Sequence, residues 1–221
     1  MKKEKVLIVG SSGHAKTIID IFEKVEFEII GLIDDCRDEN EMTLGYSVLG
    51  KIKDIPKIIN QDKGCNVFVA IGDNFSRQVV VNKITAMMPE IKFASAIHPS
   101  ALIGKNAVFG KGVAILAGTI ISADAKIGNF TIVSTKASAG HDMEMLEYSS
   151  LAPGVTTGGN VVIGECSAIS IGAIVKEKLK IGNHSIIGAG SLLMKNCPDN
   201  VIMYGVPAKL IRKREKGEKY F

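Results

Sequence analysis

His141 and Asp142 are neighbours in the chain, preceded by the small residues Ser138, Ala139 and Gly140. An imidazole beside a carboxylate is a base that can be oriented, able to take a proton from an attacking amine or hydroxyl. Gly159 follows eighteen residues later. A glycine lets a reacting group come close to the backbone, and its N–H can stabilise a developing oxyanion. Base, orienting acid and amide donor are the parts that acyl transfer to a nucleophile requires.

A second set of residues suits a nucleotide. Gly10-Ser11-Ser12-Gly13 follows the apolar run Val6–Val9 and precedes a helix beginning near His14. Free N–H groups at such a helix start can receive a phosphate. The loop is shorter than G-x-G-x-x-G and gains meaning from Asp34-Asp35 at the end of the next strand, where a carboxylate can accept from ribose or base.

The elements that must position these residues fall into two halves. Residues 1–96 read as alternating strands and helices: strands over 5–9, 27–33, 66–71 and 92–97, helices over 14–24, 53–60 and 75–88. That order predicts a small Rossmann-like parallel sheet with room for one mononucleotide. Residues 97–204 change character. An apolar residue recurs at every sixth position, from Ile97, Ile103 and Phe109 to Ile181, Ile187 and Leu193, and Thr157 is the one polar exception. A period of six fits neither a helix nor a half-buried strand. It fits a parallel β-helix of 18-residue triangular coils, between five and six of them, stacked at about 4.8 Å. Glycines just after the apolar position (Gly104, Gly110, Gly128, Gly164) are expected to take the tight corners. In this register His141 occupies an outward-pointing turn, and Gly159 sits one rung away in the same column. Residues 205–221 are expected to be a tail whose basic residues, Arg212 to Lys219, are solvated.

The bulk composition sets limits. Of 221 residues, 46% are apolar and 23% charged, with a net charge of +4, which excludes a wholly disordered chain and gives no basic face for nucleic acid. No apolar run approaches a signal-peptide core or a membrane span. Four cysteines without metal-site spacing suit a reduced, cytoplasmic protein.

The repeat, with GSSGHAK at 10–16, IDD at 33–35, AIGDN at 70–74, IHPSA at 97–101, GHD at 140–142 and GVPAK at 205–209, carries a family resemblance. The chain resembles the sialic acid O-acetyltransferase family of left-handed β-helix, hexapeptide-repeat acyltransferases. The better-understood members N-acetylate nucleotide-linked 4-amino-4,6-dideoxy sugars of the bacillosamine, perosamine and viosamine type. The resemblance implies a homotrimer with active sites between subunits, acetyl-CoA as donor, no metal, and a nucleotide-linked amino sugar held by the first half. It implies that His141, Asp142 and Gly159 are catalytic, with Asp142 standing where many relatives have Glu. It places Gly10, Ser12, Gly13, His14, Asp34, Asp35 and Gly72 at the nucleotide-sugar. Ser150, Ile171 and Ala189 fall where the family touches CoA, with Gly190 and Lys209 as neighbours for pantetheine and phosphate. At Ser150 relatives often have a histidine.

Other readings fit less well. A β-helix carbonic anhydrase needs three histidines converging on zinc, but His98, His141 and His184 belong to different faces of the coil. The first half is too small, and lacks the third glycine, for NAD binding. Cysteine catalysis is not expected, since neither Cys166 nor Cys197 is read as having a histidine in its column. O-acetylation of sialic acid or another sugar hydroxyl, and a non-catalytic nucleotide-sugar-binding role, remain as alternatives.

Overall fold

The structure is a computed structural model and describes residues 3–62 and 64–219. Val6, Leu7, Ile8 and Val9 are all buried because strand β1 (Glu4–Val9) is the middle of a three-stranded parallel sheet. Its neighbours are β2 (Phe27–Ile33) and β5 (Asn66–Val69). Alternate side chains leave β1 on opposite faces. Val6 and Ile8 pack with Ile18, Ile19 and Phe22 of helix α1 (Gly13–Lys24). Leu7 and Val9 pack with Ile55 of α2 (Ile55–Gln61) and with Val81 and Ile84 of α3 (Asn74–Met87). A two-residue hairpin, β3 (Met42–Thr43) and β4 (Tyr46–Ser47), lies between β2 and α2. Two-residue strands are too short to leave a periodic signal in the sequence.

The strand expected over 92–97 divides in two. Phe93 makes a single bridge to Val67, whereas Ala96–Ile97 pairs with Ala114–Ile115 and is the first rung of the β-helix. From there, paired residues are eighteen apart, as in the column Ile132, Ser150, Ala168, Ile186. Each coil contributes one two-residue strand to each of three parallel sheets. The inward series from Ile115 to Leu193 is buried throughout. Ile103 is 43% exposed because the first coil forms an open end.

The corner glycines act differently from the expectation. The left-handed conformation falls two positions later, at every sixth residue from Asn106 to Gly190, and most of these residues carry side chains, including Asp124, Lys136, Asp142 and Lys178. The glycines at 104, 110, 128 and 164 are not in that conformation. A Cβ there would collide with backbone one rung away, so they serve close stacking of the coils.

The expected tail is ordered as well. Val201–Gly205 pairs with Ile186–Ile187, then turns through the cis Val206–Pro207 bond into Ala208–Lys213, an antiparallel partner that closes the stack. Arg214 is buried and donates to the His184 carbonyl, so this part of the basic stretch is structural.

The two halves share their interior. Ala96, Ala114, Leu116 and Ile132 of the β-helix belong to the same apolar cluster as Ile8, Ile19 and Phe22. No helix among the described residues is long and apolar enough to cross a membrane.

Candidate active site

His141 and Asp142 stand at the corner between Ser138–Ala139 and Glu144–Met145, side chains outward and more than half exposed. His141 Nδ1 is 2.7 Å from Asp142 Oδ2. The carboxylate can only accept when ionised, so it fixes the proton on Nδ1 and leaves the Nε2 lone pair available. The left-handed backbone of Asp142 (φ 54°) turns its carboxylate back to its neighbour. Gly159 is one rung on, and a Cβ built there would overlap the His141 ring at Nε2 and Cε1. The imidazole therefore lies over bare backbone. Among the described residues the Gly159 N–H has no protein acceptor.

The broken hexad at Thr157 belongs to this corner. Elsewhere in this sheet the residue after each short strand donates its N–H to a carbonyl on the next coil, as Ser122 does to Ala139 and Gly158 to Val175. Gly140 instead donates to the Thr157 hydroxyl at 3.0 Å, and the pairing of these strands is reduced to Ser138 with Thr156. The Thr157 hydroxyl reaches back to the Ser138 carbonyl at 3.3 Å. A polar residue thus enters the core where the ladder is interrupted, directly before His141.

A separate cleft of about 730 Å³ lies on another face of the prism. Ile132, Ser150, Ala168, Ile186 and Ile202 form its floor, along successive rungs. His14 and Gly72 come in from the first half, and Ile171 and Ala189 from the coil corners. Arg212 and Lys219 also line it. The column arithmetic that linked His141 to Gly159 reaches the floor residues too, but all except Ser150 are apolar and offered no chemical signal. The His14 Nε2 is buried with no hydrogen-bond partner among the described residues, and burial, helped by the Arg77 charge, lowers its pKa to about 4.

The remaining nucleotide candidates gather at the C-terminal ends of β1 and β2. Asp34 Oδ2 accepts from the Ser11 N–H at 3.0 Å and the Ser11 hydroxyl at 2.5 Å, and Oδ1 accepts from Cys36 N–H. Asp34 thus anchors the Gly10–Gly13 turn. Asp35 accepts from Ile52 N–H at 2.8 Å and lies 3.5 Å from Lys83. Ser12 precedes α1 without a side-chain cap bond. Gly10 has φ 106°, and a Cβ there would meet the Ala70 carbonyl. Gly190 follows Ala189 in a left-handed turn, and Lys209 is exposed on the closing hairpin. The structure brings His141, Asp142 and Gly159 together, and His14, Gly72, Ser150, Ile171 and Ala189 together, but within one chain these are two places.

His98, His141 and His184 occupy three different corners, as the register required. The expectation for Cys166 is corrected: His184 is eighteen residues on, in its column, and with Glu165 offers ligand atoms all within 4.8 Å of one another. Burial, with the Glu165 charge, pushes the Cys166 thiol up to about 12, which opposes a nucleophilic thiolate. Burial and then Lys216 lower the pKa of His184.

A family model described as the PglD N-terminal domain matches residues 5–84. A histidine-to-asparagine variant of perosamine N-acetyltransferase from Caulobacter crescentus, solved with CoA and GDP-perosamine, superposes with a TM-score of 0.89 at 33% identity, covering 95% of this chain and 97% of that one. The acetyltransferase domain of PglB from Neisseria gonorrhoeae FA1090, solved with acetyl coenzyme A, gives 0.85 at 27%, covering 95% and 100%. An acyl-[acyl-carrier-protein]–UDP-N-acetylglucosamine O-acyltransferase from Pseudomonas aeruginosa (strain LESB58) is 30% identical over 123 residues, 55% of this chain and 47% of that protein. The chain spans about half or less of the length of such curated relatives. It belongs to the left-handed β-helix, hexapeptide-repeat acyltransferase family. Within that family its relatives in structure are the acetyltransferases of nucleotide-linked amino sugars.

Proposed function

We propose that this protein moves an acetyl group from acetyl-CoA to the amine of a nucleotide-linked 4-amino-4,6-dideoxy sugar, as a homotrimer with active sites between subunits. The observation that carries the reading is the His141 imidazole, oriented by Asp142, with Nε2 lying against Gly159, whose N–H has no protein acceptor among the described residues. The neutral amine attacks the thioester carbon, and a C–N bond forms. The carbonyl oxygen takes up the charge and accepts from Gly159 N–H, while Nε2 receives the amine proton. Collapse breaks the C–S bond, and the imidazolium returns its proton to the departing thiolate. Proton transfer of this kind is worth about 10²–10⁴-fold.

The long cleft suits an acyl-CoA arm: apolar along its floor, with Lys219 and the Glu218-paired Arg212 at its lining for phosphates. It lies on a different face from His141, so one chain holds base and donor groove apart. Threefold packing, with the corner of one prism against the cleft of the next, supplies the missing half of each site. The Gly10–Gly13 turn, Ser12, Asp34 and Asp35 hold the nucleotide-sugar. In support, the C. crescentus relative was solved with both CoA and GDP-perosamine.

O-acylation is the second reading, favoured by the names of the Pseudomonas relatives, which transfer to oxygen. The test is thiol release from acetyl-CoA against UDP-, dTDP- and GDP-linked 4-amino sugars, with sialic acid as contrast. We expect turnover with one of the amines and a loss of about 10²-fold or more in kcat for His141→Ala. Release only with a hydroxyl acceptor would establish the second reading. Wild-type turnover by His141→Ala would remove the base assignment, and no release with any acceptor would favour a binding protein.

A further inference from the structure

The outward column of the cleft face reads Ala96, Ala114, Ile132, Ser150, Ala168, Ile186, Ile202, and Ser150 is its one polar member. Ala96 and Ala114 are covered by the first half of the chain, Ile132 packs against it where the cleft begins, and Ser150 is the next rung along the cleft floor. Asn74, at the start of α3, reaches it there. The Asn74 Nδ2 donates to Ser150 Oγ at 3.0 Å and to the Ser167 carbonyl at 3.1 Å, while its Oδ1 accepts from Arg77 Nη2 at 2.7 Å. Both Asn74 and Arg77 are 1% exposed.

This arrangement has one direction only. Arg77 has donors and no acceptor, and the Ser167 carbonyl only accepts, so the Asn74 amide cannot be reversed. Arg77 is itself held by the carbonyls of Ile71 (2.8 Å) and Gly72 (3.0 Å) from the first half, and of Phe130 (2.8 Å) and Tyr148 (3.0 Å) from the coil corners. Ser150 Oγ therefore receives a hydrogen bond from the protein and must give its own proton elsewhere. Among the described residues its hydroxyl donates to no protein acceptor.

We propose that Asn74, locked by Arg77, is a positioning residue that makes Ser150 an obligate donor into the cleft, directed at the acyl carbonyl oxygen of the thioester. This rests on reading the cleft as the acyl-CoA groove. The carbonyl end is assigned to Ser150 because His14 and Gly72, from the half that holds the acceptor, line the cleft, while the Ile202 end lies about three rungs, roughly 14 Å, further on. The same two side chains tie the two halves together, so the donor is set only when the first half is docked.

Calorimetric titration of the full chain with acetyl-CoA and with CoA, which lacks the acyl carbonyl, tests this. Ser150→Ala should weaken acetyl-CoA about five- to tenfold and CoA less than twofold. Asn74→Asp keeps the size of the side chain and the Arg77 partner but turns a donor into an acceptor, drawing the Ser150 proton away from the cleft. It should reproduce the loss alone and add less than twofold in the Ser150→Ala background. The proposal is overturned if Ser150→Ala binds acetyl-CoA within twofold of the native chain, if both ligands weaken equally, or if the two substitutions add fully. Should Asn74→Asp not fold, the Ser150→Ala comparison of the two ligands still decides the acyl-carbonyl assignment. A native chain that binds neither ligand would instead refute the acyl-CoA reading, and this inference with it.

Discussion

The His141 imidazole occupies the space above Gly159 that any side chain at 159 would need, one coil further along the chain. Gly159→Ala should therefore displace the ring and screen the amide together. We expect kcat to fall by about 10²-fold or more, the cost typical of losing an oxyanion donor, with a melting temperature close to that of the native chain because the ring that must move, His141, is exposed. Near-native kcat in a folded Gly159→Ala protein would show that the reaction does not use this contact.

Thr157→Val preserves shape and removes the acceptor of the Gly140 N–H. Leaving that donor unpaired should cost about 1–3 kcal/mol in denaturant unfolding. Because Gly140 precedes His141, kcat should drop about tenfold while the Michaelis constant for acetyl-CoA stays within twofold. Thr157→Ser, which retains the oxygen, should recover most of the activity. Equal losses in the Val and Ser variants would place the effect in packing.

His14 gives a pH dependence with a definite sign. Burial, then Arg77, lowers its pKa to about 4, whereas an unfolded histidine titrates near 6.5. Between these values the unfolded chain binds a proton that the folded chain refuses, so this contribution to stability falls as the pH drops from about 6.5 to about 4. The loss should be on the order of 3 kcal/mol. Unfolding free energies at pH 7 and pH 4.5 should differ less in His14→Gln than in the native chain. An unchanged difference would mean that other groups account for the acid sensitivity.

The period of six made the β-helix legible because each inward position must fill a narrow core, a demand that few residue types meet. The same arithmetic put His141 and Gly159 in one column and Thr157 in the wrong kind of position, although not the hydrogen bond that explains Thr157. It carried less where the partner lies across the two halves. Asn74 closes the AIGDN motif, but nothing local shows its role or that of Arg77, since their partners Ser150, Phe130 and Tyr148 are more than fifty residues away. The closing hairpin with Arg212 was unreadable for another reason: the repeat ends at Leu193, and the strands after it pair with no fixed period. Glycine alone does not mark the left-handed corner, two positions further on, because both needs, tight approach and left-handed backbone, favour the same residue.

Those left-handed corners hold a margin of heat resistance that the protein leaves unused. Lys136 (φ 57°) and Lys178 (φ 60°) are exposed and carry side chains where the backbone disfavours them, at about 1–2 kcal/mol per residue. Glycine would relieve that cost and give part of it back as unfolded-chain entropy. Lys136→Gly and Lys178→Gly should each raise stability by a few tenths of a kcal/mol to about 1, read as an upward shift of a few degrees in thermal melting; a fall would show the lysines to be held by contacts of their own. A heat-adapted form of this chain could be reached through its corners alone, with every inward-facing residue left as it is.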